Sequence, residues 1–171
     1  MGIEIERKFL LANDSWRSLA PGVRYRQGYI TAQPGRTVRI RTIGDRGFLT
    51  IKGPGPGAAR AEFEYEIPGE DARVLLDTLC EKPLIEKNRH RIDYQGFVWE
   101  VDEFLGENQG LVIAEIELSH ENQEFTLPPW IGREVTGESR YFNAALVHHP
   151  YSRWNREQKY TQTQGNQSRS A

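Results

Sequence analysis

The chain has 171 residues, 37% hydrophobic and 27% charged, with 22 Lys and Arg against 24 Asp and Glu for a formal charge of −2. That length fits one domain with a real core, and the even balance excludes an overall field that would draw the chain to nucleic acid or to a membrane surface. No apolar stretch approaches the ~18 residues of a spanning helix, the opening Met1-Gly2-Ile3-Glu4-Ile5-Glu6-Arg7-Lys8 is charged where a secretion signal would be apolar, and the lone Cys80 excludes an internal disulfide and fits a reducing cytoplasm.

Glu4 to Leu11 alternates apolar and charged residues and reads as a strand. Asn13-Asp14-Ser15 can cap a short helix through Leu19, stopped by Pro21-Gly22. Thr37 to Ile43 and Gly47 to Lys52 flank the turn composition Gly44-Asp45-Arg46-Gly47 and predict a hairpin. The run Gly53-Pro54-Gly55-Pro56-Gly57 is a connector, because no Lys-Ser/Thr follows it as a phosphate-cradling loop requires. Ala61 to Ile67 is a further strand, and Glu70 to Leu79 a helix with Val74, Leu75, Leu76 and Leu79 on its apolar face. Lys87 to Tyr94, Phe97 to Phe104 and Leu111 to Ser119 repeat the alternation, joined through Gln95-Gly96 and Gly106 to Gly110. A third helix is predicted from about Glu138 to His149, with Tyr141, Ala144, Ala145 and Leu146 inward and Pro150 as its stop. Beyond it only Trp154 and Tyr160 are sizeable apolar groups, so the expected division is a domain over 1–150 and a polar, disordered tail over 151–171.

Side chains alternate faces along a strand, and one face here is abnormal. It carries Glu4, Glu6 and Lys8, then Arg39, Arg41, Thr50 and Lys52, then Glu62, Glu64 and Glu66. The later strands continue with Lys87, Arg89 and Arg91, Glu100 and Asp102, and Glu115 and Glu117, while alternate positions hold Ile, Val, Leu, Phe and Trp. An ordinary antiparallel sheet has one apolar and one solvated face, but solvated strand positions mix Thr, Ser and Gln with charge, and these are almost wholly ionic. If the strands close with the charged face inward, the interior is a wet tunnel, since unpaired ions in a dry core cost several kcal/mol each. Converging Arg and Lys suit a polyanion. Carboxylates beside a polyanion make sense when some hold a hard divalent cation, and i, i+2 pairs such as Glu4/Glu6 and Glu115/Glu117 set two oxygen ligands on one face about 6 to 7 Å apart.

Glu4-Ile5-Glu6-Arg7-Lys8 resembles the ExExK signature that opens the CYTH superfamily, the triphosphate tunnel metalloenzymes, and the spaced pairs that follow keep family order from Met1 to about Pro150. The resemblance implies an α+β, mainly antiparallel β fold, an eight-stranded β-barrel tunnel with a charged interior and helices packed outside. It implies metal positions at Glu4, Glu6, Glu100, Asp102, Glu115 and Glu117, with Mg2+ or Mn2+ as cofactor. Triphosphate would be bound by Lys8, Arg39, Arg41, Lys52, Lys87 and Arg89, with Arg140 added from the helix that plugs one end. Glu62 and Glu64 would orient the bases or aid the metal, Asp102 would also position water, and Tyr29 would stand near the tunnel mouth; these four form the expected catalytic set.

The reading is a cytoplasmic, metal-dependent triphosphatase cleaving a small triphosphate, inorganic tripolyphosphate first, to pyrophosphate and phosphate. The catalysis would come from positioning and charge neutralisation. The alternatives are a thiamine or nucleoside triphosphatase, an adenylate cyclase, a module that binds polyphosphate or nucleotide without chemistry, or a plain β-domain with a solvated charged face. The four histidines show no metal-ligand spacing on a shared helix face, and Cys80 reads as packing.

Overall fold

The computed structural model describes residues 2–33, 35–54 and 59–159. Part of the Gly53–Gly57 connector and residues 160–171 of the expected tail therefore lie outside the described residues.

The strands are β1 (Gly2–Leu11), β2 (Gly22–Thr31), β3 (Thr37–Ile43), β4 (Arg46–Lys52), β5 (Ala59–Ile67), β6 (Ile85–Tyr94), β7 (Phe97–Phe104), β8 (Val112–Glu117) and β9 (Ile131–Glu134). Helices α1 (Gly69–Thr78) and α2 (Asn143–His148) lie outside the sheet sequence, with 3-10 turns such as Ser15–Ser18 between elements. Every pairing is antiparallel, in the order β5-β4-β3-β2-β6-β7-β8-β1-β9. A further β5–β1 pairing closes eight of the strands into the expected barrel. Strand β1 is the seam. It meets β5 at Gly2↔Glu62, β8 at Glu6↔Glu117 and Lys8↔Glu115, and β9 at Leu11↔Ile131. The expected hairpins form, and at the β6–β7 turn both Gln95 (φ 46°) and Gly96 (φ 84°) adopt the left-handed conformation that a two-residue turn requires.

Three clusters fill the apolar space. On the outer side, Phe9, Trp16, Trp99, Ile116 and Trp130 pack behind β1, β7 and β8. Helix α1 sets Ala72 and Leu76 on Ile40, an approach that leaves only 2.6 Å between the Ala72 Cβ and a Cβ built at Gly47. Cys80 is buried in that layer, as its packing reading requires. The third cluster explains why the tunnel is blind. Along the inward column, Lys8 gives way to Leu10, Lys87 to Ile85, Asp102 to Phe104 and Glu115 to Ile113, and these four apolar residues join Tyr29, Tyr141, Leu146 and Val147 in one core. The charged interior therefore ends on a hydrophobic floor carried partly by the α2 segment.

Four expectations change. Strand β2 was not anticipated, nor was the short β9. The helix over Glu138–His149 is two pieces, a 3-10 turn at Ser139–Tyr141 and α2, separated by Phe142 in an extended conformation (φ −71°, ψ 135°). The capped helix at Ser15 is a single 3-10 turn. Trp154, read from sequence as unable to anchor, is 4% exposed. It stacks edge-on against Tyr141 and Tyr151 at 5.3 and 5.2 Å, so the packed chain continues past Pro150. Among the described residues no helix is long and apolar enough to cross a membrane.

Candidate active site

Closing the sheet turns the ionic face inward around a cavity of about 960 Å³. Fourteen of the sixteen expected site residues line it: Glu4, Glu6 and Lys8 from β1, Tyr29 from β2, Arg39 and Arg41 from β3, and Lys52 from β4, followed by Glu62 and Glu64 from β5, Lys87 and Arg89 from β6, Glu100 from β7, and Glu115 and Glu117 from β8. Counting every charged residue on the wall gives ten Lys and Arg against seven Glu, a formal +3 inside a chain whose total is −2. The cavity, not the molecule, is the cationic feature, which is what a polyanion ligand requires.

The wall is a lattice of ion pairs. Lys52 Nζ lies 2.7 Å from Glu4 Oε2 and 3.6 Å from Glu62 Oε2. Arg41 donates to Glu64 at 3.1 Å, Lys8 Nζ is 3.6 Å from Glu115, and Arg39 donates to the Thr50 hydroxyl at 3.2 Å. The pairs leave buried valence over: the Nε atoms of Arg39 and Arg41 and the Glu62 Oε2 have no hydrogen-bond partner. Donors buried in this way cost free energy unless a ligand meets them. Among the described residues Glu117 has no cation within ion-pair reach, and burial together with Glu4, Glu100 and Glu6 raises its carboxyl above the usual range, with Lys52 opposing.

The structure moves two expected residues away from the cavity. Asp102 is 1% exposed, and both its oxygens are taken, by Arg89 Nε at 2.7 Å, Arg89 Nη2 at 2.8 Å and Lys87 Nζ at 2.8 Å. It lies opposite Arg89 in the β6–β7 register and stands behind the wall, not on it, so the expectation of direct metal or water contact is replaced by that of an anchor for two bases. Arg140, expected to reach the triphosphate, instead lies over the rings of Tyr141 and Trp154 at 4.9 and 5.4 Å and within 3.7 Å of Glu138. The reason is the break at Phe142: of the turn before it only Ser139 reaches the cavity, whereas Phe142, Asn143, Ala144 and Ala145 line it.

That segment supplies what the sequence reading missed. Asn143 lines the cavity and its Oδ1 accepts from Lys87 Nζ at 3.0 Å and Gln27 Nε2 at 3.2 Å. The Phe142 ring lies under Lys8 Nζ at 5.2 Å and Arg60 Cζ at 6.0 Å. Arg60 itself stands 3.6 Å from Glu4 and 3.9 Å from Glu6, and could have been found by extending the Glu62, Glu64 alternation one step back. Tyr25 and Phe48 also line the cavity.

Burial pushes the Lys87 ammonium down to about 8, with Asp102 opposing and Arg89 adding to the fall. Between about pH 8 and the usual lysine range the unfolded chain then holds a proton that the native state does not, so this group makes native stability rise with pH across that window. Denaturant unfolding of wild type and Lys87→Met, compared from about pH 8 to 10, should show the difference moving in favour of wild type by about 1 kcal/mol per pH unit.

Among the described residues no three acids are gathered into a ready-made metal cluster. The donor set still fits a hard cation. Mg2+ or Mn2+ at a phosphate site needs only one or two carboxylates, the remaining ligands being water and substrate oxygens, and Glu4, Glu6 and Glu117 offer hard carboxylate oxygens on the cavity wall.

The CYTH domain family matches residues 2–151 of this chain. An inorganic triphosphatase of Acetivibrio thermocellus is 58% identical over 151 residues, spanning 88% of this chain and 97% of the relative. An inorganic triphosphatase of Nitrosomonas europaea is 37% identical over 148 residues, spanning 84% and 96%. A crystal structure of an inorganic triphosphatase superposes with a TM-score of 0.61 at 34% identity, covering 86% of this chain and 95% of its own.

Proposed function

This chain belongs to the CYTH domain family, and from that premise we propose that it is a metal-dependent hydrolase of inorganic tripolyphosphate, releasing phosphate and pyrophosphate. The observation that carries the reading is the net cationic cavity of about 960 Å³, lined by ten Lys and Arg against seven Glu, which has room for a short polyphosphate. The two inorganic triphosphatases that share most of its length support the choice of substrate.

Arg39, Arg41, Lys52, Lys87 and Arg89 would hold the non-bridging oxygens, Arg39 and Arg41 in bidentate fashion, Lys as point charges, and Arg89 through the N–H groups that Asp102 and Glu100 leave over. Lys8 serves the floor end, where Phe142 covers one side of it. Phosphoryl transfer passes through a loose transition state whose charge lies on those oxygens, so fixed cations lower the barrier without covalent chemistry. Glu4, Glu6, Glu115 and Glu117 would hold a divalent cation, Mg2+ or Mn2+, with Glu100 beside them, and it would supply neutralisation of part of the substrate charge. Glu62, whose buried Oε2 is ion-paired with Lys52 but accepts no hydrogen bond, and Glu64 would orient water for in-line attack on a terminal phosphorus, the bond to the bridging oxygen breaking and pyrophosphate leaving. Tyr29 borders this space. The single, buried Cys80 suits a cytoplasmic setting.

Phosphate release from tripolyphosphate, thiamine triphosphate, ATP and pyrophosphate, with Mg2+, with Mn2+ and with chelator, tests the proposal beside a Glu4→Gln control. Release is expected from tripolyphosphate, dependent on metal and lost in the control. Preferred release from thiamine triphosphate or ATP would move the assignment to an organic triphosphate, and binding without release would reduce the protein to a polyphosphate-binding module.

A further inference from the structure

From the tunnel rim inward, cations and aromatic rings alternate. Arg46 Cζ lies over the Phe48 ring at 5.2 Å, Arg41 Cζ over the same ring at 5.7 Å and over Tyr25 at 5.2 Å, and Arg89 Cζ over Tyr25 at 4.9 Å. Strand order produces the series: β2 runs between β3 and β6, so the inward Tyr25 has Arg41 on one side and Arg89 on the other. Tyr25 is 6% exposed and lines the cavity, and none of the ion pairs described above uses it.

The arrangement answers a physical difficulty. Guanidinium groups brought close enough to share one polyanion repel each other, and the Arg41 guanidinium is pushed down to about 10 by burial and then by Arg39 and Arg89, with Glu64 opposing. A carboxylate placed between each pair would relieve the repulsion but would also neutralise the site and compete for the same N–H donors. A ring face stabilises a guanidinium through its quadrupole while taking none of the in-plane donors. Among the described residues only the Glu64 side chain is hydrogen-bonded to the Arg41 side chain, and the buried Arg41 Nε has no hydrogen-bond partner.

The geometry points to Tyr25, with Phe48, as positioning residues, the rungs of a ladder that seats Arg41 between Arg89, which Asp102 and Glu100 hold, and Arg46, which Glu66 holds, and keeps the remaining donors of Arg41 available to triphosphate. This rests on the proposed function for its ligand, but the ladder itself can be read without one. Tyr25→Leu should weaken tripolyphosphate affinity, measured by calorimetry in chelator, about tenfold, with kcat in metal falling much less. Tyr25→Phe, which keeps the ring, should recover most of the loss. In an Arg41→Gln background Tyr25→Leu should cost little more, because its effect runs through that side chain. In the unliganded protein the Arg41 Nε–H resonance should be sharp in wild type and Tyr25→Phe and broadened by exchange in Tyr25→Leu. Phe48→Leu, at the less buried rung, gives the same test should Tyr25→Leu fail to fold.

Equal affinity and an equal Arg41 signal in Tyr25→Leu and wild type would overturn the ladder. So would a Tyr25→Phe variant as weak as Tyr25→Leu, or a full additional loss in the Arg41→Gln background. A wild type that bound no tripolyphosphate would end the hydrolase reading, and the Arg41 signal would still decide the ladder.

Discussion

Replacing Asp102 with alanine is expected to lower stability by about 3–5 kcal/mol, enough to unfold much of a protein of ordinary stability. Burial pushes this carboxyl up, but Arg89 and Lys87 outweigh it and hold it below the usual carboxylate range. Its removal leaves two cations side by side, at 1% and 7% exposure, with the Glu100 contact to Arg89 at 3.0 Å as the main compensation. Asp102→Asn keeps the shape and an acceptor but not the charge, and should fall between alanine and wild type. Because the folded-state pKa is lowered, the contribution is present above the unfolded carboxylate pKa and is lost as pH falls through and below it. Thermal and denaturant unfolding at neutral and acid pH measure both effects. An Asp102→Ala protein as stable as wild type would show that Glu100 and Asn143 suffice to hold the two bases.

Glu117→Gln should behave in the opposite way. Metal-dependent phosphate release should fall about a hundredfold or more, as expected on losing a ligand that holds the cation in place. Thermal stability in chelator should be unchanged or slightly higher, because Glu117 is the acid crowded by Glu4, Glu6 and Glu100, with Lys52 opposing. The direction follows from like-charge repulsion, and solvent screening at this accessible position keeps its size small. Activity and melting temperature therefore separate Glu117 from Asp102: loss of Glu117 should cost turnover without stability, whereas loss of Asp102 should cost stability, and turnover only through the two bases it holds. A Glu117→Gln enzyme with full activity at low metal concentration would remove it from the ligand set.

Most of the wall was legible in the sequence because a β-strand has period two, and an ionic residue at every second position over many strands has few uses other than a wet interior. Strand β2 escaped for the same reason: Arg24 and Arg26 face out, Gln27 and Gly28 interrupt, and neither face of the segment is uniformly apolar. Alternation also could not tell a cavity-facing acid from one consumed behind the wall. Asp102 has the inward phase, and its withdrawal depends on the register that sets it opposite Arg89. The helical spacing from Glu138 to His149 is continuous as a pattern, but Phe142 takes an extended conformation so that its ring meets Lys8, and this rotates Arg140 outward and Asn143 inward. Tyr25 and Phe48 read as ordinary strand aromatics, since nothing in spacing alone says that a ring separates two guanidiniums.

The barrel's seam has a kinetic consequence. Strand β1 pairs with β5 and also, much farther along the chain, with β8 and β9, and its Arg7–Glu134 pair spans 127 residues. Hairpins β3–β4 and β6–β7 are local, whereas closing the barrel across β1 brings together residues far apart in sequence against a large loop entropy. The acids of the ExExK segment thus complete the tunnel wall only when β1 is paired with β5 and β8 together.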